Sequence, residues 1–483
     1  MIAVLLAGTV VPSTLIAGGT VIDGTGVAGR LADVRIRGSQ IVEIGRLRPK
    51  DNEVVISAKG MVVCPGFIDA HSHADFGSTK EPGLASQLSQ GITTAIVGQD
   101  GIWSEPVGDL FKRLGKSRPA MNFAAFSGAG GIRAEVLGDD FKRAATWNEV
   151  TKMAHLVGND MQAGALGVSS GLEYDPGYYS DSEELTELAN VAAAFDGVYI
   201  SHVRDEGNKA FTSFRELFEI AKSSGARGQV SHIKLCAAGV WGRGAAASAY
   251  LKANALTADV YPYLFWQSTI AALTPSREWE KREIWVAALK DVGGAQNVRL
   301  TSYTPNPRWV GKTIAQIGVE TKRDPIAVIQ EILEKTRDGK GDESVAVSAM
   351  REDDLLSFIK SPHVMFSSDG SPGGSHPRSA GSFPRVLGHY VREKKAISLQ
   401  EAIRKMTWLP AQTFRLRSRG RIAQGYVADV VIFDPKTISD RATAENPKAM
   451  SVGVKWVLVS GAVAFAHGKI TGARSGQMLR RGK

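Results

Sequence analysis

Hydrophobic and polar positions follow two patterns, one at the ends of the chain and one in its middle. Between residues 14 and 56, short apolar runs at 14–17, 20–22, 32–36, 40–44 and 53–56 are separated by polar residues and glycine-containing turns. Such spacing predicts strands in a small antiparallel β unit. A similar set returns at 429–433, 454–459 and 462–465, so the two ends are expected to pack together as one β-sandwich. Between the ends lie eight apolar runs, at 61–63, 93–97, 122–126, 165–168, 198–200, 229–230, 257–260 and 364–366. Most are separated by helical patterns, for example 182–195 and 210–223; Asp181, Glu183 and Glu184 open the former, where the helix dipole favours negative charge. Eight strand–helix repeats predict a (β/α)8 barrel, an α/β fold. The expected division is therefore a β-sandwich of residues 1–60 plus 420–483 around a barrel of 61–419. A barrel of this kind needs roughly 250 residues. The excess falls between the seventh and eighth strands and predicts an insertion at about 270–350 over the C-terminal face.

Composition narrows the functional classes. The chain has 483 residues, 43% hydrophobic and 22% charged, as in an ordinary soluble protein with one large and one smaller domain. Its net charge of +9 comes without an aromatic-interleaved basic stripe, which argues against a nucleic-acid partner. The apolar start, Met1 to Ala17, lacks a positive leading region and is broken by Gly8, Pro12 and Ser13; it reads as neither membrane span nor signal peptide, and no membrane partner is expected. Two cysteines, Cys64 and Cys236, cannot build a disulfide framework, which suits a reducing compartment, and the expected location is cytoplasmic. A homo-oligomer is compatible with the sequence.

The chemistry concentrates where barrel strands end. The first apolar run leads into Pro65-Gly66-Phe67-Ile68-Asp69-Ala70-His71-Ser72-His73. Residues two apart on a strand share a face, so His71 and His73 are expected to aim two imidazoles into one space. Reading later strand ends in order gives Asp100, Glu173-Tyr174, His202, His232 with Lys234, and Asp369. Four of the nine histidines thus fall at the mouth of one barrel, the end where such folds carry catalysis. Nitrogen and oxygen ligands without thiolate suit zinc, with iron or manganese as alternatives.

These segments resemble the amidohydrolase superfamily, and within it the N-acyl-D-amino-acid deacylase (D-aminoacylase) family. The resemblance rests on Gly18-Gly19-Thr20-Val21-Ile22-Asp23-Gly24-Thr25-Gly26, the His71–His73 segment, Asp259-Val260-Tyr261-Pro262-Tyr263, His376-Pro377-Arg378 and Gly425-Tyr426-Val427-Ala428-Asp429. It implies a barrel with a small β-sandwich, a zinc centre of one or two ions, and hydrolysis of N-acyl-D-amino acids to a D-amino acid and a carboxylate. By the same resemblance His202 and His232 hold the tighter metal, His71 and His73 a second position, and Asp369 is the catalytic carboxylate beside the metal. The resembling family carries a bridging cysteine where this chain has Asp100, and often a histidine where it has Ala129. Either Asp100 or Glu173 can then bridge two ions, or one ion sits without a bridge.

A divalent cation lowers the pKa of a water to roughly 7, which supplies a nucleophile for an amide at neutral pH. Asp369 would serve as general base and then general acid. The resemblance assigns the substrate carboxylate to Tyr174, Lys234 and Arg378. Trp241, Phe265 and Trp266 are candidate apolar lining, and Arg204 is read as a structural ion pair with acids beside it in sequence. Alternatives are a dipeptidase or cyclic amidase of the same superfamily, or a scaffold without catalysis.

Overall fold

The computed structural model describes residues 13–337 and 340–482; the reading of Met1 to Pro12 falls outside them. The chain opens with β1 (Ser13–Val21), β2 (Arg30–Arg37), β3 (Gln40–Gly45), β4 (Val54–Ser57) and β5 (Val62–Pro65). Next come β6 (Phe67–Asp69), β7 (Ile92–Val97), β8 (Asn122–Ala125), β9 (Ser127–Gly128), β10 (Gly167–Gly171), β11 (Val198–His202), β12 (Arg227–Val230) and β13 (Thr257–Val260). An excursion holding β14 (Trp266–Ser268), β15 (Val298–Tyr303) and β16 (Glu343–Val347) precedes β17 (Val364–Phe366). The chain closes with β18 (Val430–Phe433), β19 (Val454–Val459), β20 (Ala462–Ala466) and β21 (Lys469–Ile470).

Strands from both ends share one nine-stranded sheet, ordered β21-β20-β19-β18-β5-β1-β2-β3 with β4 beside β1. It surrounds a common apolar cluster that includes Ile16, Val34, Ile56, Val430, Ile432 and Leu458. The sheet is mixed rather than antiparallel throughout, because β1 runs parallel to both β4 and β5. The runs 14–17 and 20–22 merge into one strand, bulged between Ile16 and Gly19. A Cβ at Gly19 would stand 2.5 Å from Val63 Cγ2, so the close approach of the β1 bulge to its neighbour β5 favours glycine there.

The run at 61–63 is not the first barrel strand. It becomes β5, hydrogen-bonded to β18, and the barrel begins one strand later at β6. Both runs are buried on both faces, and a continuous apolar run does not announce which sheet it joins. The parallel series β6-β7-β8 and β9-β10-β11-β12-β13-β17 supply eight strand positions among the described residues, β8 and β9 being one position interrupted at Phe126. The circle closes where the Asp369 amide donates to His71 O (2.8 Å) and the His73 amide to Gly370 O (2.9 Å). This is the (β/α)8 barrel. Helices pack outside it as their periodicity predicts: Ser182–Ala194 buries Leu185, Leu188, Ala189 and Ala192, and Asp181 caps it by accepting from the Glu184 amide at 2.8 Å.

The excursion between β13 and β17 has its own core, built around Trp285, Ile314, Ile329 and Val345. Its antiparallel strands β14, β16 and β15 bring Trp266, Gln267 and Ser268 to the barrel mouth. One carboxylate in it is poorly served. Glu343 accepts from the Ile270 amide at 2.8 Å, but its other oxygen is buried without a partner, and burial pushes its pKa up to about 7. The folded value lies above the unfolded one, so this group's contribution is intact in acid and is lost as pH rises through about 7. Glu343→Gln is expected to add about 1–3 kcal/mol at pH 8 and little at pH 4. Thermal midpoints at the two pH values will show it. Among the described residues no helix is long and apolar enough to cross a membrane.

Candidate metal centre

Six strand ends and the loops just beyond them converge on one cavity of about 570 Å³. His71 and His73 lie in the bend after β6, not on the strand itself. Strand alternation therefore does not align them. Their backbone is turned by the closing bonds to Asp369 and Gly370, and their rings meet edge-on with centroids 5.4 Å apart. Both Nε2 atoms reach Oδ2 of Asp100, at 3.3 and 3.2 Å, and Oδ1 of Asp369, at 3.6 and 3.2 Å.

Asp100 spans the site. While its Oδ2 faces His71 and His73, its Oδ1 lies 3.3 Å from His232 Nε2 and 3.8 Å from His202 Nδ1. His202 Nδ1 and His232 Nε2 are themselves 3.0 Å apart. Glu173 approaches the second pair alone, with Oε2 at 2.9 Å from His202 Nε2. Two sets of donors whose ligand atoms lie within 4.8 Å of one another follow: His71, His73, Asp100 and Asp369; and Asp100, His202 and His232, with Asp100 common to both. A third joins Glu173, His202 and Glu206.

Three of these residues carry unusual backbones. Asp100, His232 and Asp369 have φ of 55°, 30° and 50°, in the left-handed region that costs a non-glycine residue energy and that clusters at functional sites. The strand-four end backs directly onto this segment: a Cβ at Gly171 would lie 2.2 Å from the Asp100 carbonyl oxygen. Asp259, in the Asp-Val-Tyr-Pro-Tyr segment, supports the histidines from below. Its Oδ1 accepts from the His232 amide at 3.0 Å and stands 3.8 Å from His71 Nδ1, while Gln229 Nε2 holds Oδ2 at 2.9 Å.

The field in the cavity calls for positive charge. Burial alone would lower the His73 pKa, but hydrogen bonds to Asp100 and Asp369 raise it to about 10. Burial and Lys234 push His232 down, yet Glu206, Asp369 and Asp100 raise it to about 10 as well. Asp100 and Asp369 both resist burial and stay well below the usual carboxylate range, Asp100 through His71 and His232, Asp369 through Arg378 and His232. Metal ligands must be deprotonated, so a divalent cation here would displace imidazole protons rather than add to them. The buried Asp100 Oδ1 and His71 Nδ1 lack hydrogen-bond partners, and the donors are nitrogen and oxygen only. That set fits a divalent ion such as zinc.

Around this core the sequence expectations divide. Arg378 Nη1 pairs with Asp369 Oδ2 at 2.7 Å, and the Tyr174 ring lies 4.6 Å from that of His202 on the cavity wall. Lys234 is close too, but its ammonium contacts both oxygens of Glu206 (2.6 Å each) and His232 Nδ1 (2.8 Å). With Nε2 turned to the metal position, His232 Nδ1 carries a proton and donates to Glu206 Oε1 at 3.1 Å, so Lys234 is anchored by Glu206 and keeps an N–H beside the cavity. Glu206 is the residue that sequence reasoning passes over. It stands beside Arg204 in the chain, but Arg204 pairs instead with Glu216 at 2.8 Å. Of the three aromatic residues expected as lining, Trp266 faces the cavity; Trp241 donates to Ala349 O at 2.9 Å and packs on the insertion, and Phe265 stacks on His376 at 4.2 Å.

The Amidohydrolase family model matches residues 54–259 and 311–465, and its gap falls across the first part of the insertion. The chain belongs to the amidohydrolase family. Within that family it is 35% identical over 97% of its length to the N-acyl-D-glutamate deacylase of Alcaligenes xylosoxydans xylosoxydans, covering 96% of that protein. Among solved amidohydrolases it is similar to the N-acyl-D-glutamate deacylase of Bordetella bronchiseptica complexed with zinc and a phosphonate inhibitor, with a TM-score of 0.87, 33% identity, and 97% and 99% of the two chains covered. A D-aminoacylase structure describing a binuclear metal centre matches with a TM-score of 0.86, 31% identity, and 97% and 99% coverage.

Proposed function

We propose that this chain hydrolyses the amide bond of N-acyl-D-amino acids, releasing a D-amino acid and a carboxylate, with zinc held by His71, His73, His202, His232, Asp100 and Asp369. The observation that carries this reading is the two-sided placement of the Asp369 carboxylate, Oδ1 beside His71 and His73 and Oδ2 on Arg378 at 2.7 Å. A proton-transferring carboxylate and a cation for a free carboxylate therefore sit side by side, as an N-acyl amino acid requires and a cyclic amide does not. The full-length likeness to two deacylases supports the same substrate class.

Bound at these residues, the metal would supply a nucleophile from water at neutral pH and stabilise negative charge on the carbonyl oxygen. Arg378 orients the substrate by its carboxylate; guanidinium offers five N–H donors in a fork, and the pairing with Asp369 leaves most of them free. Asp369 takes a proton from the attacking water and returns it to the departing amine nitrogen. Tyr174 closes the wall beside His202, and Glu206, held by Lys234, accepts from His232 Nδ1 and fixes that ring. Asp100 would serve both ligand sets in this reading, because each of its oxygens meets a different histidine pair. The domain division expected from sequence is part of the proposal, with the catalytic unit starting at β6 (Phe67) rather than at residue 61, because β5 pairs with β1 and β18. So is a cytoplasmic location, on the strength of two free cysteines.

A panel of N-acetyl-D- and N-acetyl-L-amino acids, followed by released amine with and without chelator, tests the function. Release from D-forms that chelator abolishes and zinc restores is the expected result. Turnover of L-forms alone would remove the stereochemical assignment.

A further inference from the structure

We infer that the cavity selects N-acyl-D-amino acids with uncharged side chains and turns away acidic ones; this rests on the deacylase reading above and names its substrate class. The argument is an accounting of cations. Among the described residues, the cavity is lined by one lysine and one arginine, Lys234 and Arg378, and its histidines would be uncharged ligands in the zinc-loaded chain. The Lys234 charge is met by both oxygens of Glu206, at 2.6 Å each. Arg378 has donors to spare beyond Asp369, but the α-carboxylate common to every N-acyl amino acid takes them. Arg277 reaches the rim from the insertion and is also engaged: it pairs with Asp175, donates to Glu173 O at 2.9 Å and lies over the Tyr178 ring at 4.1 Å.

A second carboxylate would therefore find no partner. Bringing an unpaired anion into a confined site is costly. The remaining wall is neutral. Ile102, Trp103 and Ala272 present hydrocarbon, and Gly130 and Gly131 add no side chain to the wall. The Trp103 indole N–H is spent on Asp160 Oδ2 at 2.7 Å, so its ring offers the cavity no donor. The selectivity inferred here departs from that named for the 35% identical relative, an N-acyl-D-glutamate deacylase.

The test uses the zinc-loaded full chain and kcat/KM for N-acetyl-D-leucine, -methionine, -glutamine and -glutamate. Glutamine and glutamate match in shape, so their ratio isolates charge from size. Leucine and methionine are expected to exceed glutamate by about 100-fold, and glutamine to exceed glutamate by about 10-fold. Ala272→Arg, which adds a cation to the wall, is expected to raise the glutamate value by about 10-fold and leave leucine no better. Glutamate equal to or better than glutamine overturns the inference. So does Arg277→Ala lowering glutamate turnover alone, since Arg277 would then be the missing cation. If only L-forms are hydrolysed, the stereochemical reading fails while the same ratios in the L-series still decide the charge rule. If no N-acyl amino acid is hydrolysed, both fall.

Discussion

Replacing Asp369 by asparagine is expected to lower kcat by about 10²–10⁴-fold, the range associated with loss of a positioned proton-transfer group. The amide keeps the size of the carboxylate and one acceptor oxygen, but it cannot hold a proton between water and leaving amine. Arg378 loses its ion-pair partner at the same time, which frees its fork for the substrate. The loss should therefore appear in kcat, with KM unchanged or lower. Asp369 also faces His71 and His73, so zinc content must be measured on the same sample. A fall in kcat that zinc addition reverses would reduce Asp369 to a ligand. An unchanged kcat would remove it from the mechanism altogether.

Much of this site is legible in the sequence because a barrel converts order along the chain into position around a ring. Once strands are counted, residues at successive strand ends become neighbours, and His71, His202, His232 and Asp369 need no further information to be grouped. What does not follow is local. Strand alternation pairs His71 with His73, yet both sit past β6 and are aligned by backbone bonds to the strand-eight loop. The strand before them, β5, belongs to the other sheet, and burial on both faces looks the same in either. Lys234 is expected on the substrate because it shares a strand end with His232. Its partner Glu206 lies 28 residues away on another loop, and nothing in sequence spacing couples them. Arg204 shows the same limit, since its acid is Glu216 on the following helix rather than an adjacent residue. Charge pairing across loops is decided by side-chain reach in three dimensions, which periodicity does not encode.

The choice between Asp100 and Glu173 is open from sequence, and geometry separates them into unequal predictions. Asp100→Ala removes a carboxylate whose two oxygens face two histidine pairs. It should reduce bound zinc by at least half and kcat/KM by more than about 100-fold, beyond the effect of losing a ligand's outer hydrogen-bond partner. Glu173→Gln leaves an acceptor at 2.9 Å from His202 and removes no group shared by the pairs, so zinc content should hold and activity fall by about 10-fold. Equal metal loss in the two variants, or greater loss in Glu173→Gln, would move the bridge to strand four. Asp100→Cys sharpens the comparison. A thiolate can join two ions through one sulfur, whereas the carboxylate offers a separate oxygen to each histidine pair, so cysteine should recover part of the zinc lost in alanine. Elemental analysis after exhaustive chelation and measured reloading gives the stoichiometry directly. Full recovery by cysteine would mean that charge alone, and not the two-oxygen span, is what the strand-two position contributes.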